Sequence, residues 1–188
     1  MQVIPTAIPE VKLLVPRRFD DDRGWFVETY NRRRLAELAG ITEDFVQDNM
    51  SLSAAVGTIR GLHFQAPPHA QGKLVGVVAG AVLDVAVDIR EGSPNFGRHV
   101  AARLSAAEGN QMYVPAGFAH GFCTLEPNTV VSYKVTDVYA PECDGGIAWN
   151  DPDLGIDWPV TAERAALSDK DRALPRLADL PPVFRLFH

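Results

Sequence analysis

With 188 residues, 46% of them hydrophobic, and a formal net charge of −6, the chain has material for one well-filled globular domain but not the broad basic surface that coats nucleic acid. An anionic ligand would therefore have to meet a local cationic pocket. The two cysteines, Cys123 and Cys143, are too few for a disulfide scaffold and lack metal-ligand spacing, which fits a reducing compartment.

Residues 1–14 contain Pro5, Glu10 and Lys12 and no long apolar core, so they do not resemble a secretory signal, and no apolar stretch reaches membrane-spanning length. A cytoplasmic protein without a membrane partner is the expectation. The first convincing helix follows Tyr30: Asn31 can cap it, Leu35 and Leu38 would share its buried face, and Gly40 can end it. Its Arg32, Arg33 and Arg34 suit a solvated face. From residue 73 to 90 the period becomes two, with apolar runs at 74–78 and 81–89 parted by Ala79-Gly80, which predicts a β-hairpin. Leu83, Val85, Val87 and Ile89 would then face the core, while Asp84, Ala86, Asp88 and Arg90 would lie on a wet or functional face. Strand-like runs follow at 99–104, 111–114, 121–125 and 129–135, a succession that predicts an all-β sandwich or jelly roll. After Tyr139 the chain turns often, at Pro141, Gly145, Gly146, Asn150, Pro152, Gly155 and Pro159, and is expected to wrap the sandwich rather than add a sheet.

Gly57 followed by His63 resembles the first half of the cupin signature, and Gly109, Pro115-Ala116-Gly117 and His120 resemble the second. The fold this implies is a cupin-type jelly roll with a few short peripheral helices. The metal-ligating positions are altered, however, with Gln65 at the second histidine position and Lys73 at the glutamate position. An ammonium would repel a divalent ion, so no metal and no cofactor is expected. A site holding His63, His120 and Lys73 can instead move a proton and steady negative charge, the chemistry of deprotonation beside a carbonyl.

Longer motifs carry a more specific resemblance. They are Asp22-Arg23-Gly24 with Phe26 and Glu28, Phe45-Val46-Gln47-Asp48-Asn49, Arg60-Gly61-Leu62-His63-Phe64-Gln65, Gln71-Gly72-Lys73, residues 84–90, residues 117–122, and Trp149-Asn150-Asp151-Pro152. Together they are similar to the dTDP-4-dehydrorhamnose 3,5-epimerases from about residue 3 to 175. The resemblance implies that His63 is the base removing protons at C5 and C3, Asp171 the carboxylate orienting it, Lys73 the stabiliser of the enolate, and Tyr133 the acid on the opposite face. It further implies substrate contacts from Arg23, Glu28, Gln47, Asn49, Arg60, His120, Tyr139, Asp144 and Lys170, with Arg23 and Arg60 suited to diphosphate oxygens. The family often carries glutamate where Asp144 stands. Asp84 and Asp88 match the family without a catalytic role, and structural hydrogen bonding is expected of them. The implied ligand is a dTDP-linked 4-keto-6-deoxy sugar and the implied assembly a homodimer with exchanged strands. An epimerase acting at C3 or C5 alone, a metal-dependent cupin and a non-catalytic sugar-nucleotide binder are the competing readings.

Overall fold

The computed structural model describes residues 1–186. The chain opens with β1 (Gln2–Pro5), β2 (Lys12–Val15), β3 (Arg18–Asp21) and β4 (Gly24–Val27), then α1 (Arg32–Ala39). Strands β5 (Gln47–Ser53), β6 (Ile59–Gln65), β7 (Lys73–Ala79), β8 (Ala81–Asp88) and β9 (Arg90–Glu91) follow. Next come β10 (His99–Ser105), β11 (Gln111–Val114), β12 (Phe118–Thr124), β13 (Thr129–Val135) and β14 (Asp144–Gly146), with α2 (Asp169–Arg172) and β15 (Phe184–Arg185) last. Two sheets face each other: six strands in the order β1-β2-β11-β7-β13-β5, and five in the order β10-β8-β12-β6-β14. Val75, Val77 and Val131 of the first pack against Val82, Ala86 and Phe122 of the second, so the core is the space between the sheets. The architecture is all-β, a cupin-type jelly-roll sandwich.

The expected 73–90 hairpin does not form. β7 pairs with β11 and β13, whereas β8 pairs with β10 and β12, so the chain crosses from one sheet to the other at Gly80. Gly80 has φ +78°, and a Cβ there would lie 2.4 Å from Thr129 Oγ1, so the crossing requires glycine. The expected wet face of β8 is also dry. Val85, Val87 and Ile89 lie under a cover of Leu154, Leu177, Leu180 and Phe184 from the C-terminal run, while Val82, Asp84 and Ala86 are wholly buried. Asp88 is buried as a hydrogen-bonding hub, accepting from the Arg90 backbone N–H at 3.0 Å, Arg90 Nε at 2.9 Å and Ser93 Oγ at 2.6 Å.

The C-terminal run does more than wrap. β14 extends the five-stranded sheet beside β6, and β15 pairs in parallel with β9. Helix α1 has the expected caps: Asn31 Oδ1 accepts from Arg34 N at 3.1 Å, and Gly40 closes the last turn at φ +67°. Leu35 is buried as expected, but Leu38 is 52% exposed, and Ala39 shares the buried side in its place. Arg32 and Arg34 reach Asp44 and Glu28 on the surface, as a solvated face should. The β3–β4 hairpin leaves Phe19, Trp25 and Phe26 exposed, Phe26 to 68%. No helix among the described residues is long and apolar enough to cross a membrane.

Candidate active site

Strand alternation builds the site. On β6 His63 points into the sandwich, and on β12 its cross-strand partner His120 points the same way. The two strands come together at glycines. A Cβ on Gly61, which has φ +124°, would lie 2.5 Å from Gly121 Cα, and the register shifts between His120 and Phe122. From the opposite sheet, β7 places Lys73 on the inward parity shared by Val75 and Val77, and β13 places Tyr133 between inward Val131 and Val135. Gln47 and Asn49 occupy the less exposed positions of β5, while Asp48, Met50 and Leu52 face outward.

These side chains line an open cavity of about 200 Å³. β6 contributes His63, Phe64 and Gln65, and the six-stranded side contributes Gln47, Asn49, Lys73 and Tyr133. Gln71, Tyr139, Asp144 and Lys170 form the rim. Four larger hollows are present: about 420 Å³ under the C-terminal run, 530 Å³ on the outer side of the six-stranded sheet beside Trp25, 500 Å³ beside Arg90 and Phe184, and 280 Å³ beside Trp149 and Trp158. None is lined by a histidine, so the smaller cavity, where titratable groups converge, is the chemical centre.

His63 is held by Asp171. Its Nε2–H donates to Asp171 Oδ1 at 2.5 Å, and the carboxylate is only 5% exposed. Asp171 is itself fixed by the short helix α2, where Ser168 Oγ accepts from the Asp171 backbone N–H at 3.1 Å. Burial alone would raise the Asp171 carboxyl, but the bond from His63, the imidazole charge, Ser168 and Lys170 together hold it below its ordinary range. An ionised carboxylate on Nε2 leaves Nδ1 as the basic nitrogen and stabilises the ring once it is protonated.

Lys73 Nζ donates to the His63 carbonyl at 3.1 Å, and the side chain is nearly buried. Burial pulls its ammonium from 10.5 down to about 8, against the attraction of Asp84 and Asp144 and with a smaller push from Lys170. At neutral pH it remains mostly charged, a cation in a poorly hydrated place. Tyr133 is raised, chiefly by burial, with Arg60 lowering and Asp144 raising it, so its phenol stays protonated over the working range.

At the rim, Asp144 accepts from Tyr139 OH at 3.3 Å and pairs with Lys170. Tyr139 is 57% exposed, and its backbone N–H donates to Gln47 Oε1 at 3.0 Å. Gln47 Nε2 in turn donates to Asn49 Oδ1 at 2.9 Å. Arg60 is braced by Ser53 Oγ and the Leu52 carbonyl, both at 3.1 Å, close enough for its charge to act on Tyr133. His120 lies beneath the lining, with Nε2 2.8 Å from Asp84 Oδ1.

Five residues of the expected set are not in the lining of this cavity: Asp171, His120 and Arg60, whose contacts are given above, and Arg23 and Glu28, which are engaged elsewhere. Arg23 sits on the exposed β3–β4 hairpin and pairs with Asp21, and Glu28 pairs with Arg34 and Asn31. Sequence reasoning assigned no role in the site to Gln65 or Gln71, and of Asp84 it expected only structural hydrogen bonding. Gln65 donates to the His69 and Val138 carbonyls at 2.6 and 3.1 Å and accepts from Ala140 N at 2.9 Å, bracing the segment that carries Tyr139. Gln71 donates to the Asp137 carbonyl at 2.8 Å. The inward parity of Gln65 with His63 was the available signal.

A protein-family model described as dTDP-4-dehydrorhamnose 3,5-epimerase matches residues 5–179. A curated dTDP-4-dehydrorhamnose 3,5-epimerase of Sinorhizobium fredii is 51% identical over 183 residues, covering 95% of this chain and 91% of the relative. Among solved structures, a dTDP-6-deoxy-D-glucose-3,5-epimerase of Legionella pneumophila in complex with dTDP-4-keto-L-rhamnose superposes with a TM-score of 0.94 at 46% identity, covering 100% of this chain and 99% of that one. A dTDP-4-dehydrorhamnose 3,5-epimerase of Bacillus anthracis with TDP and PPi bound gives a TM-score of 0.90 at 54% identity, covering 93% and 98%.

Proposed function

The chain belongs to the dTDP-4-dehydrorhamnose 3,5-epimerase family, and from that premise we propose that it inverts C5 and C3 of dTDP-4-dehydro-6-deoxy-D-glucose to give dTDP-4-dehydro-L-rhamnose. One observation carries the mechanism: the base and the acid stand on opposing sheets, His63 on β6 and Tyr133 on β13, with one cavity between them. Inversion needs a proton taken from one face of the sugar ring and returned to the other, and a cavity walled in this way provides both.

His63 Nδ1 removes the proton from the carbon beside the C4 ketone, and the electron pair moves onto the ketone oxygen as an enolate. Asp171 stabilises the imidazolium, and Lys73 stabilises the oxyanion with an N–H not engaged by the His63 carbonyl. The Tyr133 phenol protonates the carbon from the far side. Solvent then reprotonates the tyrosinate and takes the proton from His63, so each inversion ends with both groups restored. The same cycle serves the second carbon.

Arg60, Lys170 and the Gln47–Asn49 pair bind the nucleotide diphosphate in this reading, and the exposed Tyr139 ring offers a stacking face for thymine. Arg23 and Glu28 join them through a homodimer in which the exposed hairpin reaches a second copy's cavity, which also covers Phe19, Trp25 and Phe26. The cytoplasm suits a nucleotide-sugar enzyme with two buried free thiols. Incubation with the 4-keto sugar nucleotide in heavy water tests the activity: deuterium is expected at both C3 and C5. Label at one position alone would make the protein a single-site epimerase, and no label would refute the reading.

A further inference from the structure

We propose that Asp84, which does not line the cavity, is a positioning residue for this reaction: its carboxylate fixes His120 in one tautomer and keeps Lys73 a cation beside the ketone oxygen. The inference rests on the epimerase reading given above.

Asp84 is wholly buried on β8. Oδ1 lies 2.8 Å from His120 Nε2, so the imidazole donates through Nε2–H and a neutral ring leaves Nδ1 bare. Oδ2 is buried without a hydrogen-bond partner. A carboxylate half unsatisfied in a dry interior acts strongly on any ionisable group nearby, because little solvent screens it.

The topology identifies that group. Asp84 stands cross-strand from Phe122 on β12, one diagonal step from His120, and His120 stands cross-strand from His63 on β6. A row of Asp84, His120 and His63 thus crosses three neighbouring strands on their inner side. Lys73 approaches from the opposite sheet and bonds to the His63 carbonyl. Of the charges acting on Lys73, Asp84 is the strongest attraction, ahead of Asp144, and Lys170 opposes both. Tyr133 and the His63–Asp171 pair share the same enclosure. Asp144 already serves Lys170 and Tyr139 at the rim, which leaves Asp84 as the inner counter-charge.

The discriminating variant is Asp84→Asn, which keeps an oxygen to accept from His120 Nε2–H and removes the charge. The expected result is a kcat lowered about tenfold or more with dTDP affinity unchanged, and an alkaline limb of the rate profile moved to lower pH because Lys73 gives up its proton earlier. A purely structural aspartate would reduce the amount of folded enzyme without moving that limb. Wild-type kcat with an unmoved limb overturns the proposal.

If the variant fails to fold, the intact protein still decides. 15N NMR of His120 is expected to show a protonated Nε2, and an Nε2 without a proton overturns the assignment. Deuterium incorporation by the unaltered enzyme, measured in parallel, separates failure of this inference from failure of the epimerase reading.

Discussion

Replacing Lys73 with methionine should make the protein more stable and nearly inactive. The ammonium is lowered by burial from 10.5 to about 8, so carrying its charge in the folded state costs about 3 kcal/mol at neutral pH relative to the unfolded chain. That figure already includes the attraction of Asp84 and Asp144. Methionine has similar volume and no charge, and it gives up the bond to the His63 carbonyl, worth about 1 kcal/mol. The expected gain is about 2 kcal/mol, or a melting temperature raised by about 4–8 °C in a chain of this size. Because the folded-state value is depressed, the penalty on the wild type is fully present below pH 8 and is relieved as pH rises toward 10.5. The gap between the two melting curves should therefore narrow across that window. Deuterium incorporation should fall about 10²–10³-fold through loss of oxyanion stabilisation. Thermal melts at pH 7 and pH 10 with parallel exchange assays provide the check. A variant that melts lower at pH 7, or that keeps its rate, refutes the account of Lys73 as a strained, functional cation.

Asp171→Asn should slow exchange at both carbons by about a hundredfold, since the imidazolium loses its buried carboxylate, and a rate within twofold of wild type would remove Asp171 from the mechanism. Tyr133→Phe should still wash deuterium into substrate from the His63 side while forming little inverted product, and NMR of the recovered sugar distinguishes the two. Gly80→Ala should destabilise by about 2 kcal/mol or more, because the new Cβ meets Thr129 where φ is already +78°, and chemical denaturation reads the loss. Enzyme assayed above pH 8 should lose rate as Lys73 deprotonates, with no matching change from Tyr133, whose phenol burial raises.

Local chemistry was well represented in the sequence. Asn31 and Gly40 bound α1 because a side-chain acceptor and a left-handed residue are needed at its two ends. Strand runs from residue 74 to 135 were visible by their period of two, whereas β1 to β6 were not read as strands. What stayed hidden was the partner of each strand. A glycine turn between two alternating runs serves equally for a hairpin and for a crossing between sheets, and only the tertiary demand at Thr129 separates them. The dry second face of β8 was disguised by Asp84 and Asp88, whose charges suggest solvent until His120 and Arg90 are found beside them. In the site, residue types and motif order pointed to His63, Lys73, Tyr133 and Asp171, which the fold brings to one enclosure. The distance in sequence between His63 and Asp171 was bridged by a Ser168-x-x-Asp171 cap too short to show a helical period. Arg23 and Glu28 could not be placed by motif alone, because their hairpin packs away from the cavity of its own chain.

Because His63 and Tyr133 belong to different sheets, no local segment sets the gap between them. The gap follows from how thickly Val75, Val131, Ala86 and Phe122 fill the sandwich. If His63 and Tyr133 exchange protons with the sugar as proposed, buried residues that never meet it act as spacers for the reaction, and trimming one should alter how often a lifted proton is replaced from the far wall rather than the near one. On that proposal, stereochemical fidelity depends on packing as well as on the groups that touch the sugar.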